Sequence, residues 1–501
     1  LAATGVPVKH AARLQQGAPS GATVIDRDTY RQVAGLFNVT LFELPVDRTR
    51  TADTKCYVVA GQARDRHALH VTAVRDFCSL GTAFVGRAAE MEALATVIDT
   101  VTSESCARLA TLIGSPGVGR SRILVELADR LEQDGWAVFA AHGSALHTTT
   151  SYALVAALLR TRFNIHEDDT YAVAAAKIHR GMLALRGDDA LDSVHGIMAI
   201  SSVGMTGAVD AEEIVSQLLR VIGVTEQDAE LGRGADEQGS PAKHRIAAAL
   251  ASMLRMASEP VALVCDDLQW ADAASLSLLE DLCLRSSDTP LLVVCAARPD
   301  FGDQRPHWGE GESAHVRIGV GPLARRQLEE MVRDRLRSVT DLSSDAVGRL
   351  VEHADGNPLT LVETLHLLVD AGAIDVSDPS DWKMHAERMG ELVLPTTVHG
   401  IVQARLDRLA EPERLILARA AVVGRCFWDG VLLELDPEGG TSLNGALADL
   451  RDRDLIHARS RSTFPDEREY VFAEGATQSV AYEMLPQKER RALHDTVARW
   501  L

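Results

Sequence analysis

Residues 108–121, RLATLIGSPGVGRS, decide how the rest of the chain is read. The run 108–114 is short and apolar, as a buried strand is. SRILVELADRLEQDG (121–135) then has helical spacing, with Ile123, Leu124, Leu127 and Leu131 on one face and Gly135 as its stop. Between strand and helix, Gly114 to Ser121 has the spacing of a phosphate loop, Gly-x-x-x-x-Gly-Lys-Ser/Thr, with Arg120 at the lysine position. Glycines at 114, 117 and 119 let backbone N–H groups turn inward around phosphate oxygens. The helix N-terminus adds partial positive charge, and Ser121 is placed to reach a Mg2+ ion.

Three further apolar runs lie downstream: WAVFAAHG (136–143), PVALVCDD (260–267) and PLLVVCAARPD (290–300). Apolar strands alternating with helices predict an α/β fold, a parallel sheet covered on both faces. Asp266 and Asp267 end one of these strands. Such an acidic pair would hold Mg2+ through Asp266 and orient or deprotonate an attacking water through Asp267. The plainer alternative is that Asp266 caps the following helix. Arg298 ends the next strand at the carboxyl edge, where ligands of open α/β sheets sit and where it could sense a terminal phosphate. Its plainer alternative is a surface arginine before a proline turn.

TTTSYALVAALLRTRF (148–163) and KHRIAAALASMLRMAS (243–258) read as amphipathic helices, and the Gly- and acid-rich 230–243 between them reads as a mobile loop. From residue 323 the chain reads as successive helices: LARRQLEEMVRDRL, SSDAVGRLVEHADG and NPLTLVETLHLLVDAG. Residues 394–501 mix helices with a hairpin around 455–472. At the start, 7–16 has helical spacing, while GATVID (21–26) and KCYVVAG (55–61) read as strands.

The chain has 501 residues, enough for three or four domains. Lys and Arg total 51 against 71 Asp and Glu, a formal charge of -20. That balance disfavours nonspecific binding to nucleic acid or anionic lipid, which needs a positive field. The seven cysteines form no CxxC pair, so neither a zinc site nor a disulfide framework is indicated. Cys265 and Cys295 read as small buried hydrophobes, and a reducing cytoplasm fits. His67 and His70 have a metal-compatible spacing but no further ligands nearby in sequence. No apolar run reaches the roughly 20 residues of a membrane span. The chain opens on Leu1 without an apolar signal segment, and it reads as a piece of a longer protein or as one begun at an unusual start codon.

In combination and order, FVGRAAEMEAL (84–94), LIGSPGVGRSRILVELA (112–128), LVCDDLQWADAASLSLLEDL (263–282), AARPD (296–300), ADGNPLTLVETL (354–365) and LPTTVHGIVQARLDRL (394–409) resemble the STAND branch of AAA+-type ATPases. The similarity is strongest to the ATPase module behind class III adenylate/guanylate cyclase domains, and extends to large luminescence-regulator-type transcription factors. The resemblance implies a P-loop NTPase core over 81–320, a helical lid over 321–392 and a winged-helix regulatory segment over 393–501. It implies ATP or ADP with Mg2+ as ligands. Phe84, Val85, Gly86 and Arg87 would fill an adenine-side segment. Gly114, Gly117, Gly119, Arg120 and Ser121 would form the phosphate loop. Asp266 and Asp267 would take the metal and water positions, and Arg298 the phosphate-sensing position. Gly356, Asn357 and Pro358 would form a lid turn packed against the base. His494 would be a packing or capping residue of the closing helix. GVPVKHAARLQQGAPSGATVIDRDTY (5–30) resembles the end of a class III cyclase domain, keeping Gly5, Val8, Ala11 and Arg13. On that basis 1–62 is a small α+β cyclase-like fragment, and 63–80 is a linker.

Four positions depart from the family. Arg120 replaces lysine with a planar cation that cannot act as a compact point charge between phosphates. Losing one positioned charge of this kind costs ~10²–10³ in rate. Asp267 stands where many relatives carry glutamate. Glu474, in YVFAEGATQSVAYEML, stands where the family has a histidine near the diphosphate. Lys9 replaces an asparagine that orients ribose in cyclases. The reading is therefore a cytoplasmic nucleotide-binding switch with weak or absent hydrolysis, acting with a protein partner or by self-association through C-terminal repeats. No membrane and no direct nucleic-acid contact are expected. The alternatives are an adenylate cyclase whose catalytic half lies upstream of Leu1, and a nucleotide-free scaffold.

Overall fold

The computed structural model describes residues 14–15, 18, 22–26, 37–43, 55–62, 83–144, 148–165, 169–187, 211–224, 240–286, 288–309, 315–376, 382–435, 443–459, 462, 464 and 467–500. Near the start, strands β1 (Thr23–Asp26), β2 (Phe37–Glu43) and β3 (Lys55–Gln62) form an antiparallel sheet of order β1-β3-β2. β1 and β3 coincide with the expected strands, and β2 is additional. Gly5, Val8, Lys9, Ala11, Arg13, His67 and His70, with most of the expected helix 7–16, lie outside the described residues.

The central body runs through α1 (Ala88–Glu104), β4 (Ala107–Gly114), α2 (Arg120–Gln133), β5 (Ala137–His142), α3 (Ala153–Phe163), α4 (Tyr171–Leu185), α5 (Ala211–Ile222), α6 (Ser240–Arg255), β6 (Val261–Asp266), α7 (Ala273–Arg285), β7 (Leu291–Ala297), α8 (Pro299–Gln304) and β8 (His315–Val320). β4 to β8 form one parallel sheet of order β5-β6-β7-β4-β8. Side chains alternate between its two faces. Leu109, Phe139, Leu263, Val293 and Cys295 join a core under α3 to α7. Ala110, Leu112, Ala140, Ala262, Val264, Val294 and Ala296 join a second core with Ile123, Leu124, Leu127 and Leu131 of α2. Both faces are covered, which is why the strands contain so few polar residues. Cys265 and Cys295 are neighbours across β6 and β7, each 0% exposed. This is an α/β architecture, one parallel sheet with helices on both faces.

Two details differ from the sequence reading. Residues 240–243, assigned to a loop, are the first turn of α6, where Pro241 at the second position needs no intrahelical acceptor. Residues 230–239 lie outside the described residues. β8 was not expected at all.

Beyond the sheet, α9 (Arg325–Arg335), α10 (Ser344–Ala354) and α11 (Pro358–Asp370) pack around Leu328, Val332, Leu350, Leu361, Leu365 and Leu368. A short antiparallel pair, β9 (Ile374–Asp375) with β10 (Lys383–Met384), and α12 (Ala386–Glu391) complete this helical body. The pair was also not expected. The last segment contains α13 (Val398–Leu406), α14 (Glu411–Val423), β11 (Cys426–Trp428), α15 (Asp429–Leu435), α16 (Leu443–Asp452), β12 (Ile456–Ala458), β13 (Glu469–Phe472), α17 (Gly475–Glu483) and α18 (Gln487–Trp500). Its antiparallel sheet has the order β11-β13-β12, so the expected hairpin is present with a third strand beside it. Phe427 stacks on Tyr470 at 5.6 Å and packs on Phe472 at 5.4 Å in the centre of its core. The segment is thus a set of helices around a small antiparallel sheet.

Candidate functional site

The strand–turn–helix slot is formed as expected. β4 ends at Gly114, and α2 begins at Arg120 behind Gly119, whose φ of +99° puts it in the left-handed region. The first N–H groups of α2 have no intrahelical acceptor, so the turn presents donors and the positive end of the helix dipole. Gly117 has φ +82°, and a Cβ there would lie 2.6 Å from Asn357 Oδ1. Only glycine fits where Asn357 meets the turn this closely.

That contact is direct. Asn357 Nδ2 donates to the Pro116 carbonyl at 3.1 Å, and the Leu359 N–H donates to the Gly117 carbonyl at 3.2 Å. Asn357 Oδ1 also caps α11, accepting from the N–H groups of Leu359 and Thr360. Pro358 is the first residue of α11 and Gly356, with φ +79°, turns the chain into it. The turn 356–358 thus lies on the glycine turn 114–121.

The segment before α1 supports the same loop. Arg87, 7% exposed, donates to the Val118 carbonyl at 2.6 Å and pairs with Glu90 at 2.8 Å. Phe84 and Val85 are half-buried. Phe84 packs on the α2 side of the core with the Arg122 guanidinium 6.0 Å above its ring. Gly86 lies against Gln327 of α9.

Arg120 does not point outward. It is 7% exposed and donates to the Gly114 carbonyl, folding back onto its own loop. Burial lowers its pKa, while Asp266 and Asp267 oppose that shift. Its Nε has no hydrogen-bond partner. Ser121 donates its hydroxyl to the Asp266 carboxylate. Asp266 is 6% exposed and also accepts the Asp267 N–H at 2.8 Å. Burial, then the neighbouring Asp267 charge, pushes its pKa up to about 6, against the Ser121 hydrogen bond and Arg120. Capping of the next helix falls instead to Asp272, which accepts from Ser275 N at 2.8 Å. The hard oxygen pair of Ser121 and Asp266 fits Mg2+ chemistry.

Asp267 has φ +53°, a conformation Asp tolerates better than most residues. Its Oδ1 accepts from Gln269 Nε2 at 2.7 Å, and its Oδ2 lies 4.0 Å from Arg425 Nη1. Gln269 Oε1 in turn accepts the Arg298 N–H at 3.2 Å. The Arg298 guanidinium lies 6.0 Å over Trp270, and its Nε is buried without a hydrogen-bond partner. The structure therefore brings Arg120, Ser121, Asp266, Asp267 and Arg298 to one sheet edge. Gln269 and Arg425 belong to the same cluster and were not foreseen. A glutamine two residues after an aspartate carries no periodic signal, and Arg425 comes from another segment.

Glu474 is the N-cap residue of α17, without a side-chain cap hydrogen bond. The residue is half-buried. Burial, with Glu363 and Asp267 nearby, pushes its pKa up to about 7, against Arg425 and Arg335. A raised carboxyl pKa means that the folded chain binds a proton more tightly than the unfolded one. Stability therefore falls as pH rises from about 4.5 to 7, and the cost is complete above pH 7. Glu474→Gln is expected to match wild type at pH 4.5 and to be more stable by about 1–2 kcal/mol at pH 8, after allowance for residual solvent contact. Urea denaturation at the two pH values measures this. An equal offset at both would refute the titration argument. His494, expected to pack or cap, bonds the Tyr482 hydroxyl at 3.0 Å on the surface.

Among the described residues, no helix is long and apolar enough to cross a membrane. No protein of curated function matches the chain. Among solved structures, a STAND protein with a tetratricopeptide repeat sensor from Pyrococcus horikoshii is 12% identical with a TM-score of 0.42. It is matched over 86% of this chain and 46% of its own, so the chain spans less than half of that protein. CDC6P from Pyrobaculum aerophilum is 12% identical, with a TM-score of 0.35, over 86% of this chain and 98% of its own. The Aeropyrum pernix ORC1 protein, solved in complex with DNA, is 15% identical, with a TM-score of 0.35, over 84% and 95%. Residues 83–294, from the segment before α1 into β7, match the family model described as an AAA ATPase domain.

Proposed function

We propose that the chain is a STAND-type regulatory switch that binds ATP or ADP with Mg2+ and hydrolyses ATP weakly or not at all. The reading is carried by one observation: the Ser121 hydroxyl, next to the glycine turn, donates to Asp266 at the end of β6. Gly114, Gly117, Gly119 and the N-terminus of α2 would hold phosphates, with Ser121 and Asp266 holding Mg2+, which neutralises phosphate charge. Asp267 would orient water, and Arg298 would meet the terminal phosphate. Phe84 to Arg87 and Pro358 would border the base. Slow turnover is supported by Arg120, whose guanidinium is engaged with Gly114.

The domains proposed are a core over 81–320, a lid over 321–392 and a regulatory segment over 393–501. Residues 1–62 would be a cyclase-like remnant, joined through 63–80. ATP and ADP would bias the lid and regulatory segment between two positions, which requires different contacts in each. The setting proposed is cytoplasmic, with a protein partner or self-association as output and no direct nucleic-acid contact.

The test is nucleotide content and affinity. Acid extraction of the purified chain is expected to release ADP or ATP, and Mg-ATP and Mg-ADP are expected to bind at micromolar concentration. Empty protein that binds neither would refute the reading and favour a nucleotide-free scaffold.

A further inference from the structure

Arg425 immediately precedes β11 in the last segment, far in sequence from the phosphate loop. Its backbone is fixed, because its carbonyl accepts the Phe472 N–H at 3.0 Å. Its side chain leaves that segment and faces the sheet edge. Nη1 stands 4.0 Å from Asp267 Oδ2, with the two side chains 27% and 22% exposed. That distance is too long for a hydrogen bond, so the pair attracts without closing. Arg425 Nε is buried without a hydrogen-bond partner.

Arg120 and Arg298 share this condition: each has a buried Nε–H without a partner. Arg425 and Arg120 thus lie by Asp267, and Arg298 is linked to it through Gln269, each with donor capacity unused. A guanidinium carries five donors in a rigid fork, and one carboxylate at 4.0 Å does not satisfy them. Tetrahedral phosphate oxygens suit such a fork well. Asp267 occupies the water-orienting position, beside which a terminal phosphate sits in phosphoryl-transfer sites.

We propose that Arg425 is a phosphate-binding residue supplied by the last segment, and that it exchanges Asp267 for the terminal phosphates of a bound nucleoside di- or triphosphate. This rests on the nucleotide reading above. The site is then incomplete without the last segment, and nucleotide joins that segment to the core. Glu474, beside Arg425, also lies near Asp267, so Arg425 supplies the attraction that a carboxylate cannot.

The experiment titrates Mg-ATP, Mg-ADP and AMP into the full chain and into Arg425→Ala, Arg425→Lys and Arg408→Ala, each checked for folding by circular dichroism. Arg408 is an exposed arginine of the same segment and controls for net charge. Arg425→Ala is expected to weaken ATP and ADP about 10- to 100-fold, with AMP changed less than about twofold. Arg425→Lys, which keeps the charge and loses the fork, is expected to fall between. Arg408→Ala should bind as wild type. Wild-type affinity for ATP in both Arg425 variants, or equal losses for ATP and AMP, would overturn the assignment while leaving nucleotide binding intact. A wild-type chain that binds no nucleotide would overturn both.

Discussion

Arg405→Ala is expected to destabilise the chain by about 3–5 kcal/mol. Arg405 is 2% exposed and is held on every side. Nη1 meets Glu363 at 2.7 Å, Nε meets Asp370 at 3.0 Å, and Nη2 donates to the Arg453 carbonyl at 2.8 Å. Burial works against its charge, but Glu363 and Asp370 outweigh burial and raise its pKa. Truncation removes the shared cation and leaves the buried Glu363 carboxylate without it, while Asp370 keeps only Arg453 at 3.4 Å, the costly way to break an ion network. His366, one turn along α11 from Glu363, offers no substitute. Burial, with Arg405, Arg335 and His457 nearby, holds its pKa well below the ordinary range, so it stays neutral. Urea denaturation measures the loss. The exposed pair Arg349–Asp345, at 49% and 80% exposure, provides the contrast, with Arg349→Ala expected within about 0.5 kcal/mol of wild type. A similarly small effect of Arg405→Ala would show that the network is not closed in solution.

Arg120→Lys is expected to raise single-turnover ATP hydrolysis about 100-fold. The guanidinium at this position is committed to the Gly114 carbonyl, and burial lowers its pKa. A lysine has one compact charge on a flexible stem and can leave that carbonyl for phosphate. Affinity should change far less than rate, because backbone donors and the metal pair are untouched. Rapid-quench measurement with ATP bound separates the two quantities. Unchanged turnover in a variant that binds ATP would sink the idea that Arg120 limits the rate. Attention would then pass to Asp267, whose two oxygens are already engaged by Gln269 and approached by Arg425.

The parts of the fold legible in the sequence were those whose burial is symmetric. β4, β6 and β7 are covered on both faces, so they stand out as continuous apolar runs. β8 lies at the sheet edge with Val316, Arg317 and Gly319 exposed, so HVRIGV shows no such run. β9 and β10 have two residues each, too few for any period. Within the site, the glycine turn, the acidic pair and Arg298 were readable because each sits at a fixed offset from a strand end. Gln269 and Arg425 were not, because their positions depend on tertiary contacts. The same holds for Asn357, whose hydrogen bond to Pro116 spans 241 positions of sequence. The turn 356–358 could be read as a turn from its residues, but which surface it touches is decided by how α9 to α11 pack.

The hydrogen bonds from Asn357 and Leu359 to the glycine turn put α11 between two fixed points. Its first turn touches the loop through Asn357 and Leu359, and its middle and far end are held through Glu363 and Asp370 to Arg405 of the next segment. A helix of 13 residues is about 20 Å long, so a shift of about 1 Å at the loop tilts it by about 3°. A shift of the glycine turn would therefore reach Arg405 of the last segment along a single helix.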